Sequence, residues 1–199
     1  WDPAMTVVVL TTDDGTEGIG WCEDGTGAAK LIIDQHLERF VAGASPFDYE
    51  RIWDIMFRAS IPYGRKGAAI EAISAIDIAL WDLMGKAEGK PIYELLGGKK
   101  KEPMPLYASA LHPVEESKVR AEAADFVASG YRTMKGRFPC GPVDGKTGMQ
   151  ENVEHIRIIR DAVGPDIDIA CDAYMGWDAD YAIAMLDLLE PFNLAWLEE

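Results

Sequence analysis

Hydrophobic positions along the 199 residues follow two regimes. The first begins with two short stretches, the apolar Met5 to Leu10 and Gly18 to Trp21, which read as two strands. Asp13-Asp14-Gly15-Thr16 between them reads as a hairpin turn. Helical spacing follows. Gly27 to Phe40 carries Leu31, Ile32, Leu37 and Phe40 at helical spacing. Ser45 and Pro46 supply an N-cap and a first helical residue for a second helix that turns Ile52, Trp53 and Met56 inward. Arg58 to Lys66, with Pro62 and Gly64, predicts a loop. The longest helix runs from Ala68 to roughly Ala87, and its apolar residues (Ile70, Ile73, Ile76, Leu80, Leu83, Met84) cover much more than one stripe, so burial on several sides is expected. Gly89 to Pro91 ends it, and Tyr93 to Gly98 forms a last short turn. The charged stretch Lys99 to Glu102 predicts a boundary between a domain at 1–98 and another at 104–199.

From Met104 the second regime alternates short apolar runs with helical patterns. Strands are expected at Met104 to Ser109, Tyr131 to Lys135, Ile167 to Cys171 and Leu194 to Leu197. Helices are expected at Glu115 to Ala128, Gln150 to Val163 and from Tyr181 to Leu189, with a long Gly- and Pro-containing loop from Gly136 to Gly148. Repeated β/α units imply a parallel sheet with right-handed crossovers. A doubly wound sheet and a TIM barrel both satisfy this pattern. The lack of a phosphate-binding glycine turn after the first strand counts against a dinucleotide fold. A barrel needs eight units, and four strands are readable here. The chain opens at Trp1 without a methionine and stops at a strand end, so an excerpt of a longer protein is expected.

Two of these strands end on carboxylates, Asp172 and Glu198. In a parallel sheet all strand ends of one kind share one face, so the two acids are expected side by side. Neighbouring carboxylates repel unless positive charge lies between them, and hard divalent cations such as Mg²⁺ prefer oxygen donors. Glu199 alternates to the opposite side.

Composition changes the picture in three ways. A formal net charge of −15 argues against nucleic acid or an anionic membrane as partner. No apolar run is long enough for a transmembrane helix. Cys22, Cys140 and Cys171 are odd in number and scattered, which fits free thiols and a cytoplasmic location. His36, His112 and His155 are equally dispersed and read as surface or packing residues.

Several motifs together carry a family resemblance. A hairpin followed by helices, then Ala75-Ile76-Asp77-Ile78-Ala79-Leu80-Trp81-Asp82 with Gly85-Lys86, Gly89-Lys90-Pro91 and Leu95-Leu96-Gly97-Gly98, resembles the mandelate racemase/muconate lactonizing enzyme group of the enolase superfamily. The spacing of Asp172 and Glu198 matches that of the family's first two metal ligands. The resemblance implies an α+β capping domain followed by a (β/α) TIM-type barrel, of which only the first half is present. It implies Mg²⁺ held by Asp172, Glu198 and a third acid on a later strand. It also implies abstraction of the proton next to a substrate carboxylate, with the ene-diolate stabilised by the metal and a Lys or His as base.

Lys135-Gly136-Arg137 sits where the family carries its basic motif, and both residues are candidate catalytic groups. Arg137 departs from the usual lysine. A guanidinium is a poor proton acceptor and a good clamp for a carboxylate or hydroxyl. Lys135 can serve as base only if its pKa is lowered, for which the cation and Arg137 are possible causes; otherwise it positions substrate and the base lies beyond residue 199.

The stretch from Phe138 to Gly145, with Met149 and Asn152, is similar to the acid-sugar dehydratases, especially those of the rhamnonate type. A small-molecule sugar acid is the expected substrate. Arg58, Ser60, Tyr63 and Arg65 on the capping-domain loop are candidate substrate contacts, with a solvated loop as the alternative. Tyr174 and Trp177 are candidate pocket walls, core packing being the alternative for Trp177. A homo-oligomer is expected. A racemase, epimerase or cycloisomerase of the same superfamily and a non-catalytic relative remain open as alternatives.

Overall fold

A computed structural model describes residues 5–99 and 103–199, so residues 100–102 of the expected linker lie outside the described residues. The chain divides into two compact units, Trp1–Glu102 and Pro103–Glu199.

In the first unit, strands β1 (Met5–Thr11) and β2 (Glu17–Glu23) pair antiparallel. Gly15 takes the left-handed conformation in the turn, with φ 84°. Thr6, Val8, Gly18, Gly20 and Cys22 face inward, against helix α4 (Ala68–Glu88). The approach is unusually close. A Cβ on Gly18 would stand 2.3 Å from the Ala79 carbonyl oxygen, and one on Gly20 would stand 1.9 Å from that of Ala75. Glycine on the strand and alanine on the helix are therefore a matched set. Ala72, Ile73, Ala75, Ile76 and Ala79 are all buried, which fits a helix covered on several sides.

Three expectations fail here. The Gly27–Phe40 helix is broken into α1 (Ala28–Ile32), a π-helical segment (Ile33–Leu37) and α2 (Glu38–Val41). Leu37 is buried at the end of the π segment, while Leu31, in α1, is 58% exposed. Trp53 is also exposed and stacks on Phe57 at a centroid distance of 5.2 Å rather than turning inward. Helix α3 (Tyr49–Ser60), introduced by the Ser45 cap and a 3₁₀ turn at Pro46–Asp48, runs through Arg58 and Ser60, which are not loop residues. A short helix α5 (Ile92–Leu95) follows α4, whose C-terminus is closed by Gly89 at φ 63°.

The second unit is a parallel sheet of order β3-β4-β5-β6, formed by Ala108–Ser109, Thr133–Arg137, Asp168–Asp172 and Leu194–Glu198. Helices α6 (Glu116–Ala128), α7 (Gly145–Val163) and α8 (Ala179–Leu189) supply the crossovers. The helix-side core holds Met134, Ile156, Ile159, Ile169, Cys171, Met185 and Leu189.

Here too the sequence reading needs correction. Strand β3 is two residues long rather than six, and Met104 and Leu106 are exposed, because among the described residues this edge has a partner on one side only. The expected Gly136–Gly148 loop is mostly regular structure. Gly136 and Arg137 belong to β4, a 3₁₀ turn covers Pro142–Asp144, and α7 begins at Gly145. Gly148 makes this compact: a Cβ there would meet those of Asp144 at 2.4 Å and Cys140 at 2.9 Å. Asn152 ties the stretch down by accepting from Cys140 N at 3.0 Å and donating to Cys140 O at 3.1 Å.

One irregularity positions the site. The β5–β6 register pairs Ile169 with Leu194 and then Ala170 with Trp196, so Ala195 is an extra residue in β6. A bulge of this kind exchanges the two faces of a strand. Leu194 packs toward the helix-side core, whereas Trp196 and Glu198 lie with Ala170 and Asp172 on the other face. No helix among the described residues is long and apolar enough to cross a membrane. The three cysteines are free.

Candidate functional site

Alternation along β4 sets the first two residues. The missing side chain of Gly136 points at Ile159 of α7, 3.0 Å from where a Cβ would stand, so Lys135 and Arg137 project from the opposite face. The ladder then brings Arg137 opposite Asp172, and Asp172 opposite Glu198. The two acids are therefore neighbours, and a basic strand end lies beside them.

The charges interlock. Lys135 Nζ donates to Glu198 Oε1 at 2.6 Å and lies 3.3 Å from Asp172 Oδ2. Arg137 Nη1 stands 3.1 Å from the same Asp172 Oδ2. Asp172 is only 3% exposed, so this pairing occurs in a low-dielectric setting where an isolated carboxylate is costly. Burial by itself pulls the Lys135 ammonium down, but its bonds to Glu198 and Asp172 outweigh burial and hold it above the usual lysine value. That is opposite to the lowering that a neutral base requires, and Arg137 does not bring it about. The Lys135 hydrogen bond, helped by one from Trp196, holds Glu198 below the ordinary glutamate value.

Backbone geometry marks the same place. Tyr174 and Met175, just past Asp172, both adopt left-handed φ values of 53° and 56°. Neither is glycine, and such strain concentrates at functional sites. The turn lets Tyr174 N donate to Asp172 Oδ1 at 2.8 Å, and it sets the Tyr174 ring 5.0 Å from the Arg137 guanidinium carbon.

Tyr174 therefore stands at the site, while Trp177 does not. Trp177 stacks on Phe138 at 4.3 Å and donates Nε1–H to Cys140 O at 2.9 Å, which is core packing. The four candidates of the first unit are placed as follows. Arg58 pairs with Asp54 one helical turn away, Arg65 is exposed, and Tyr63 Oη lies 2.6 Å from His36 Nδ1. Ser60 is fully buried and donates to Phe57 O at 2.9 Å, so its hydroxyl is already committed within the helix.

Two residues that the sequence reading passed over also line the site. Trp196 donates Nε1–H to Glu198 Oε2 at 3.2 Å and meets the Tyr107 ring edge-on at 5.3 Å. Lys135 Nζ lies 5.7 Å above Tyr107. Alternation back from Glu198 could have identified Trp196; Tyr107 precedes a strand too short to show a pattern.

Among the described residues no group of three His, Cys, Asp or Glu side chains could hold a metal ion. Asp172 and Glu198 are thus a pair of oxygen donors converging on one positive group. Such hard donors fit Mg²⁺ and would need completion by further ligands. His155 is a packing residue, buried, with Nε2 3.1 Å from Leu111 O. Burial and the neighbouring Glu151 push the Cys140 thiol up to about 11, so it is no thiolate at neutral pH.

Comparison with known proteins agrees with this geometry. Residues 2–97 match the mandelate racemase / muconate lactonizing enzyme N-terminal domain, and residues 118–199 match the enolase C-terminal domain-like model. An L-rhamnonate dehydratase from Saccharopolyspora erythraea is 39% identical over 193 residues, covering 97% of this chain and 47% of that protein. The crystal structure of rhamnonate dehydratase from Gibberella zeae complexed with Mg is 36% identical, with a TM-score of 0.83, over 98% of this chain and 45% of that one. A racemase from Streptomyces coelicolor with bound magnesium is 31% identical, with a TM-score of 0.85, over 97% of this chain and 53% of that one. The chain spans about half the length of the curated relatives it matches.

Proposed function

Because this chain belongs to the mandelate racemase/muconate lactonizing enzyme group of the enolase superfamily, we propose that it contributes the capping domain and the first barrel strands of a Mg²⁺-dependent acid-sugar dehydratase. The observation that carries the reading is the convergence of Asp172 Oδ2 and Glu198 Oε1 on one positive group at the ends of adjacent parallel strands. Asp172 and Glu198 would hold the ion together with an acid outside these residues. When bound, it would supply positive charge to the carboxylate of the substrate as negative charge develops there.

The remaining work falls to side chains. Arg137, whose guanidinium is a rigid fork of donors, clamps the substrate carboxylate or a neighbouring hydroxyl from the same strand end. Lys135, held protonated by Glu198 and Asp172, faces the same space and can give a proton to the departing hydroxyl, while the base that takes the α proton lies outside these residues. Removal of the α proton gives an ene-diolate, departure of the β-hydroxyl as water gives an enol at C2, and ketonisation of that enol with a proton taken up at C3 gives a 2-keto-3-deoxy acid. Tyr174, beside Arg137, walls the pocket. Arg58, Tyr63 and Arg65 are assigned to substrate binding, whereas the committed hydroxyl of Ser60 removes it from that group. The likeness to rhamnonate dehydratases favours a six-carbon deoxy aldonate such as L-rhamnonate. The three free cysteines fit a cytoplasmic enzyme, and a homo-oligomer is the proposed assembly.

The likeness to a racemase supports a second reading. A two-base racemase takes the proton from one face and returns it to the other, and Arg137 in place of a lysine removes one of those bases. Elimination needs only one. Screening a sugar-acid library with the whole protein and Mg²⁺ separates the two readings. Formation of 2-keto acid is the expected result; exchange of the α hydrogen with deuterated solvent, without keto acid from any library member, would establish the racemase reading instead.

A further inference from the structure

Each carboxylate of the pair has one oxygen held by a neutral N–H two residues further along or back in the chain. In both cases the other oxygen faces Lys135. Tyr174 N occupies Asp172 Oδ1 at 2.8 Å, leaving Oδ2 3.3 Å from Lys135 Nζ. Trp196 Nε1 occupies Glu198 Oε2 at 3.2 Å, leaving Oε1 2.6 Å from the same nitrogen. The first arrangement depends on the left-handed turn at Tyr174 and Met175. The second depends on the bulge at Ala195, which brings Trp196 onto the face of Glu198, and on Tyr107, whose ring braces the indole.

A carboxylate with two equivalent oxygens can rotate about its last bond. A donor on one oxygen stops that rotation. A neutral donor does so without cancelling the charge that must attract a cation. Lys135 cannot play this part, because its ammonium competes for the very oxygens a cation would use.

We propose that Trp196 is a positioning residue for the metal: its indole N–H fixes the rotation of Glu198 so that Oε1 joins Asp172 Oδ2 as donor to one divalent cation. This rests on the metal reading of Asp172 and Glu198 given above. Trp196 neither touches substrate nor binds the ion; it acts through Glu198.

The test is Mg²⁺ binding to the whole protein by titration calorimetry, with Mn²⁺ followed by electron paramagnetic resonance as a second probe. Trp196→Phe keeps the ring and its packing on Tyr107 but loses the N–H. It should bind Mg²⁺ about tenfold more weakly, at the lower end of what loss of an outer-shell partner costs. The circular dichroism spectrum should stay unchanged, and kcat should recover as Mg²⁺ is raised. Asp172→Asn, measured alongside, should lose binding. Affinity in Trp196→Phe equal to that of the unmodified protein, with Asp172→Asn still defective, overturns the role of Trp196 and leaves the metal reading standing. Absence of Mg²⁺ binding in the unmodified protein overturns both. If Trp196→Phe does not fold, ¹⁵N-indole labelling of the unmodified protein decides: the Trp196 N–H resonance should move on Glu198→Gln, and a resonance indifferent to that change refutes the hydrogen bond on which the role depends.

Discussion

Asp172→Asn is expected to abolish keto acid formation by the whole protein, with a loss on the order of a thousandfold or more, since several kcal/mol of transition-state charge stabilisation disappear with the ion. The change should leave the fold intact. Asparagine has nearly the same shape, and its side-chain oxygen can still accept from Tyr174 N, the bond that Asp172 Oδ1 makes now. Lys135 keeps Glu198 as a partner at 2.6 Å, so no buried cation is left without a counter-charge. Steady-state assays and a thermal melt check the two halves of this expectation together. Retained turnover in a folded Asp172→Asn protein would mean that this carboxylate has no part in the chemistry.

The second large effect is expected at Lys135. Its side chain is buried, it bonds two acids on neighbouring strands, and it is the one cation of the basic pair able to give or take a proton. Lys135→Met should lower kcat/KM by about a thousandfold, the combined scale of losing a positioned proton-transfer group and a charge at the reacting centre. Methionine fills much of the same volume, so the sheet should survive. Activity within tenfold of the unmodified protein would remove Lys135 from the machinery. The measurement also separates the lysine from Arg137, because Arg137→Lys restores the two-lysine motif and should keep a measurable rate.

The legibility of this molecule in its sequence follows from what each feature depends on. The β1–β2 hairpin, the Ser45 cap and the long helix from Ala68 rest on local signals, and they appear where the pattern puts them. That Asp172 and Glu198 lie at the same end of the sheet follows from a rule about parallel strands, but that they share one face depends on a register the rule does not supply. Features that depend on tertiary contact were not readable. The π-helical segment at Ile33–Leu37 has no local signature. The Gly136–Gly148 stretch looks like a loop by composition, yet its glycines serve close packing: Gly136 admits Ile159, and Gly148 admits the side chains of Asp144 and Cys140.

The most consequential hidden feature is the Ala195 bulge. A regular β6 starting from the Ile169–Leu194 pair would place Leu197, not Glu198, opposite Asp172. The carboxylate would then face the helix side, and neither Lys135 nor Trp196 could reach it in the way observed. Ser60 shows the opposite failure. Its residue type suits substrate contact, but the helix continues one turn further than Pro62 and Gly64 suggest, and the hydroxyl is spent on Phe57.

If Asp172 and Glu198 share one divalent cation, as proposed, that cation can be located. Crystals of the whole protein grown with Mn²⁺ in place of Mg²⁺ allow the ion to be found by its anomalous scattering. The expected result is a single strong peak at coordination distance, roughly 2.0–2.3 Å for a hard cation of this size on carboxylate oxygen, from one oxygen of Asp172 and one of Glu198. A peak bound elsewhere, or none beside these two residues with Lys135 still bridging them, would contradict the account.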